Sequence, residues 1–125
     1  MKQEFIPYEQ SLELKQLGFN ERCFGYYHTE LGKSDVDLVI KETPDRFYHL
    51  IRIPEHFEDL APTYQQAFRW FREKYKLYSF IFCYDEGFGY GAYKEGVTQT
   101  NESFATYEEA ELACLKKLIE IVKNK

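Results

Sequence analysis

The chain has 125 residues, 44% of them apolar and 30% charged, with a net charge of −5. This is the composition of one folded domain rather than a disordered segment, long enough to bury roughly two-thirds of its unfolded surface. The mild acidity argues against wholesale nucleic-acid binding, and three widely spaced cysteines supply neither a disulfide framework nor a zinc motif, as suits a reducing compartment.

In chain order, Met1 to Pro7 carries no apolar signal region and no run reaches membrane-span length, so a cytoplasmic protein is expected. Residues 7–18 read as a helix, with Pro7 at the first helical position and Leu12, Leu14 and Leu17 as its apolar contacts. Gly18 followed by Phe19 predicts a Schellman stop in which Phe19 reaches back to Leu14. Cys23 to His28 and Asp37 to Lys41 read as strands, with a turn at Gly32 to Asp35. Phe47 to Ile53 reads as a further strand, joined across Thr43-Pro44-Asp45, and acidic Glu55 to Leu60 as a short helical turn.

Thr63 to Tyr75 is the most legible helix. Tyr64, Ala67, Phe68, Phe71 and Tyr75 repeat at helical period behind a capping-box pair, Thr63 and Gln66. Leu77 to Tyr84 reads as an interior strand, Asp85-Glu86-Gly87 as a hairpin turn, and Phe88 to Tyr93 as the returning partner. Tyr64, Phe68 and Phe71 are expected to pack on that sheet, against Phe80, Phe82 and Tyr84 or against Ile81 and Cys83 on the other face. Polar Lys94 to Ser103 reads as a mobile loop. A last helix begins at a second capping box, Thr106 with Glu109, and its broad apolar face (Ala110, Ala113, Cys114, Leu115, Leu118, Ile121, Val122) must lie on a sheet.

Residues 1–125 are therefore expected to form a single α+β domain. Its architecture would be one antiparallel sheet of about four to five strands with three helices packed on it, in the order α-β-β(-β)-α-β-β-α.

No catalytic, cofactor or metal site is predicted. Gly87, Gly89 and Gly91 precede a strand, not a helix N-terminus, so they do not make a phosphate loop. Alternate glycines on a strand admit a close neighbour, a helix or large aromatics, and the first turns of the last helix are the expected one. Cys23 and His28, five apart on a strand, fall on opposite faces. His28, His49 and His56 lack metal-ligand spacing.

The best candidates for partner binding lie on the central helix. Arg69, Arg72 and Lys76 share a basic face suited to phosphates, and Trp70 lies off the apolar stripe, where a tryptophan can anchor a partner. Aromatic residues make up 18% of the chain, which also suits an aromatic core or a recognition surface.

Three blocks carry a resemblance. Phe5-Ile-Pro-Tyr-Glu with Leu17-Gly-Phe and Cys23-Phe-Gly-Tyr-Tyr27, then Tyr64 to Tyr75, then Thr106 to Ile121, resemble a family of small uncharacterised proteins of phage and prophage elements in gut anaerobes. The resemblance implies a mobile-element origin and a bacterial cytoplasm, and it carries no activity, cofactor or catalytic residue. The expected function is a non-catalytic protein-binding module, with a protein partner or self-association. Nucleic-acid association through the basic face is the alternative, and no membrane role is expected.

Overall fold

The computed structural model describes residues 4–30, 36–45 and 56–124. Its elements are α1 (Tyr8–Gln16), β1 (Cys23–Glu30), β2 (Asp37–Asp45), β3 (His56–Ala61), α2 (Tyr64–Tyr75), β4 (Tyr78–Tyr84), β5 (Gly87–Lys94), β6 (Val97–Phe104) and α3 (Tyr107–Lys123). The chain divides into two compact units, residues 1–63 and 64–125.

In the N-terminal unit, β1 is the centre of an antiparallel sheet ordered β2-β1-β3. Pairing of Tyr27 with Leu38 and Asp59, and of Gly25 with Ile40 and Ala61, fixes which side chains share a face. The N-terminal segment and α1 cover that face. Phe5 packs on Gly25, Tyr8 meets Tyr27 edge-on at 5.4 Å, and the Tyr27 hydroxyl donates to the carbonyl of Ile6. Lys15 of α1 donates to the buried Asp59 of β3 at 2.9 Å. A bridge between Phe5 and Thr63, with Ile6 N–H donating to Pro62 O, holds the segment in place.

Helix α1 ends as its residues dictate. Gly18 takes φ 102°, Phe19 N–H donates to Leu14 O and Gly18 N–H to Lys15 O, which is the Schellman pair. Leu14 and Phe19 are both buried. Pro7 stands one residue earlier than expected. It is the N-cap, with extended ψ 157°, and its carbonyl accepts the first helical bond from Ser11. The buried face of this short helix is Gln10, Ser11 and Leu14, while Leu12 and Leu17 are half-buried.

In the C-terminal unit, β4, β5 and β6 form an antiparallel meander. Ser79, Ile81 and Cys83 of β4 share one face with Phe88, Tyr90 and Ala92 of β5. Helix α3 packs on that face, where the Ser79 hydroxyl bonds the Cys114 thiol and Tyr107 meets Phe88 edge-on at 6.1 Å. Thr106 caps the helix by accepting from Glu109 N–H at 3.1 Å, as its capping box requires. Ala110, Cys114, Leu115, Leu118 and Ile119 are its buried side chains, and Ala113, Ile121 and Val122 are half-buried. Burial pushes the Cys114 thiol up to about 12.

The α+β class, the three helices and the antiparallel pairing are as expected. The single sheet of four to five strands is not: the described residues hold two three-stranded sheets. Most of the short helical turn expected over Glu55 to Leu60 lies in strand β3, whose Asp59 turns inward to Lys15 instead of outward to water. The expected loop from Lys94 is strand β6, reached through a two-residue turn with Glu95 at φ 52° and Gly96 at φ 85°. Its side chains are almost all in water, because pairing with β5 satisfies the backbone without an apolar face. β2 runs through Thr43-Pro44-Asp45 as an edge strand, where a proline is tolerated. The expected turn at Gly32 to Asp35 and strand at Phe47 to Ile53 lie outside the described residues.

Candidate functional site

Trp70 is not at the surface. It is 6% exposed, edge-on to Phe71 at 5.1 Å and to Tyr75 at 5.5 Å, with the Lys74 ammonium 5.1 Å from its ring centre. A side chain so enclosed cannot serve as the exposed anchor expected of it. Tyr64 and Phe71 are buried as predicted, while Phe68 is only half-buried. Arg69 and Arg72 are exposed one turn apart, and Lys76 is exposed beyond the helix end at φ 55°, where its N–H donates to Arg72 O. The basic face keeps its two guanidinium groups and loses its helical continuity with Lys76.

A different group of aromatic side chains is exposed. Tyr78, Phe80, Phe82 and Tyr84 alternate along β4, and Tyr93 lies opposite Tyr78 on β5, so all five point to the face away from α3. Phe80 is 49% exposed, Tyr78 43% and Tyr93 42%. Their rings stand in two groups: Tyr78 to Tyr93 is 6.3 Å, and in a file of three Phe80 to Phe82 is 6.0 Å and Phe82 to Tyr84 6.3 Å between centroids. The Tyr84 hydroxyl accepts from Ser103 N–H of β6 at 2.9 Å, tying the far end of the file across the sheet.

The alternate glycines explain the shape of this surface. Phe82 lies opposite Gly89, and Phe80 opposite Gly91. A Cβ on Gly89 would come within 2.5 Å of the Phe82 ring, and one on Gly91 would overlap the tip of the Phe80 ring. The close neighbours of these glycines are therefore cross-strand aromatics, and the expected approach of the first turns of α3 is corrected accordingly. α3 lies on the opposite face, where Tyr90 and Ala92 are buried. With no side chain on these glycines, the ring tips reach over β5, Phe82 half-buried and Phe80 half in water.

The positions of this face on β4 and β5 are Tyr, Phe, Phe, Tyr, Gly, Gly, Gly and Tyr, with no charge among them. On β6, Thr98 lies opposite Tyr93 and Thr100 opposite Gly91, extending the face with hydroxyls. The surface is a neutral aromatic platform with a polar margin, and the acidic turn residues Asp85, Glu86 and Glu95 stand at its two ends. From sequence, either Phe80, Phe82 and Tyr84 or Ile81 and Cys83 on the other face are expected in a core, on an interior strand, whereas β4 lies at the edge of its sheet. Period-two alternation of aromatics facing period-two glycines was the available signal that one face of the hairpin is flat.

Compared with protein families, characterised proteins and solved structures, the chain matches none. Among the described residues no helix is long and apolar enough to cross a membrane.

Proposed function

We propose that the protein is a non-catalytic binding module that holds a protein partner on the aromatic face of the β4-β5-β6 sheet. The supporting observation is the charge-free face of β4 and β5 on which Tyr78, Phe80 and Tyr93 are each more than two-fifths exposed. Aromatic side chains deliver large contact area at small rotamer cost and dominate protein interfaces, and tyrosine hydroxyls add hydrogen bonds at the rim. Nucleic-acid association through Arg69 and Arg72 is the second reading, supported by their exposure one turn apart. It is the weaker one, since the aromatic face offers no basic side chain to neighbouring phosphates.

Affinity capture from a lysate of the source cells, run with three proteins, tests this. The wild type and the Arg69→Ala/Arg72→Ala variant should retain the same partner, and the Phe80→Ser/Tyr93→Ser variant should lose it. Retention that survives the aromatic changes would sink the proposal. Binding to single-stranded DNA that weakens steeply with salt, and is abolished by the arginine changes alone, would establish the second reading in its place.

A further inference from the structure

Among the described residues the two sheets have four outer strands, and they are not alike. β2 carries Lys41, Glu42, Pro44 and Asp45, and its register with β1 is broken between Cys23 and Gly25. β3 carries Glu58 and Asp59. β6 carries Glu102 among polar neighbours, with a register shift between Phe88 and Tyr90. Charges, prolines and bulges are the devices by which outer strands avoid pairing with other chains. β4 has none of them. Its seven residues include no charge, proline or glycine, its register with β5 is unbroken, and among the described strands its backbone ladder is with β5 alone.

The sequence of β4 has a second property. Tyr78-Ser79-Phe80-Ile81-Phe82-Cys83-Tyr84 reads nearly the same in both directions, with serine exchanged for cysteine at one pair of positions. We infer that β4 is a self-pairing edge, at which a second copy of this chain joins antiparallel about a two-fold axis through Ile81. A two-fold interface requires that residue i meet j while j meets i. In this register Tyr78 meets Tyr84 of the other copy, Ser79 meets Cys83, Phe80 meets Phe82, and Ile81 meets Ile81. Every cross-strand pair is then like with like in size and polarity, and aromatic pairs are among the more favourable ones in antiparallel sheets.

Residues directly opposite each other in an antiparallel pair share a face. The two copies therefore form one six-stranded sheet in the order β6-β5-β4-β4-β5-β6, with both aromatic files on the same side. Pairing also covers the edges of Tyr78 and Phe80, which are otherwise left in water. This inference does not depend on the protein partner proposed above. A chain that stays monomeric yet captures its partner through the aromatic face would overturn only the pairing.

Sedimentation equilibrium and site-directed cross-linking of the full chain test it. The wild type should sediment as a concentration-dependent dimer. Phe80→Lys should shift it to monomer with its circular dichroism unchanged, because two charges would be brought into the seam. Adding Phe82→Glu places the introduced carboxylate of one copy opposite the introduced ammonium of the other, and should restore a dimer that weakens with salt. A wild type that is monomeric up to roughly millimolar concentration, or a dimer untouched by folded Phe80→Lys, would overturn the inference.

The register has its own readout, which needs no charged residue. In a Cys83→Ser background, Tyr78→Cys and Tyr84→Cys on the same chain lie six residues apart, roughly 20 Å along the strand, too far for a short bismaleimide to bridge internally. Across the two-fold they are opposite each other. The double-cysteine chain should cross-link to a covalent dimer, and either single-cysteine chain should not. Equal cross-linking of all three would show that the register is wrong.

Discussion

Both units place phenylalanine rings against strand glycines, and they do it from opposite directions. In the N-terminal unit, the ring over Gly25 belongs to Phe5, which arrives from outside the sheet and is 6% exposed. In the C-terminal unit, the rings over Gly89 and Gly91 belong to Phe82 and Phe80 of the adjacent strand, and Phe80 is 49% exposed. One arrangement closes a core, because the covering segment is itself held by the Phe5–Thr63 bridge and the Tyr27–Ile6 hydrogen bond. The other fills the hollow over the glycines but leaves Phe80 half in water. The same contact between glycine and phenylalanine is thus structural in one unit and makes a surface in the other.

Truncation of each ring separates the two roles most widely. Phe5→Ala should cost about 3–5 kcal/mol, since it empties a site enclosed by Gly25, Tyr27 and Ala61. Phe80→Ala should cost about 1 kcal/mol or less, because half the ring is already in water. Urea denaturation with an unchanged slope measures both. Equal losses would mean that Phe80 is a core residue and that the aromatic platform has been misassigned.

The difference between the units also marks what the sequence could tell. Helix ends were legible because they depend on a few adjacent residues: Gly18 with Phe19, and Thr106 with Glu109. The hairpin at Asp85-Glu86 was legible for the same reason. Strands β3 and β6 were not, because acidic Glu58-Asp59 and polar Val97 to Ser103 signal water, and only pairing with β1 and β5 gives them their conformation. Trp70 followed the same rule. Expected beyond the apolar stripe, it is buried on the same face as Tyr64, Ala67 and Phe71, through neighbours that helical period cannot reveal. The aromatic face was missed because Phe80 and Phe82 look like core residues until their glycine partners are in register.

Adding a methyl group tests how tightly the N-terminal ring is held. A Cβ on Gly25 would lie 2.8 Å from Phe5 Cε1 and 3.3 Å from Val39 O, and Phe5 is buried rather than free to swing into water. Gly25→Ala should therefore overpack the site and cost roughly 1–3 kcal/mol. A change under about 0.5 kcal/mol by chemical denaturation would show that the N-terminal segment is loosely seated.

Alkali should separate the units by a different property. Burial raises the Cys114 thiol from 9.0 to about 12. Between those values the folded chain keeps a proton that the unfolded chain has lost, so unfolding releases it. Stability from this group is complete below its unfolded value and is lost as pH rises towards its folded one. Burial raises the Tyr27 hydroxyl of the N-terminal unit as well, but from 10.0, so its loss begins later. The urea midpoint of the wild type should fall between about pH 8 and pH 10, and Cys114→Ala should flatten that fall whatever it does to stability at neutral pH. Identical slopes in the two proteins would rule out Cys114 as the source.

The smallest expected effect sharpens the comparison furthest. Gly91→Ala puts a methyl group where the Phe80 ring lies, a closer overlap than at Gly25. Judged by distance alone, it should be the worse substitution. The neighbour decides otherwise, because the contact is with the far end of a side chain that already stands half in solvent and can rotate outward. Gly91 is also not among the residues with positive φ, so alanine meets no backbone strain. Restricting the unfolded chain should return about 0.4–1 kcal/mol, against a similar loss of ring contact. Gly91→Ala in dilute solution should accordingly change stability by less than about 0.5 kcal/mol, while Gly25→Ala is clearly destabilising. If the two cost the same, Phe80 is as firmly anchored as Phe5, and a ring that cannot yield is poorly suited to receive a partner on its open face.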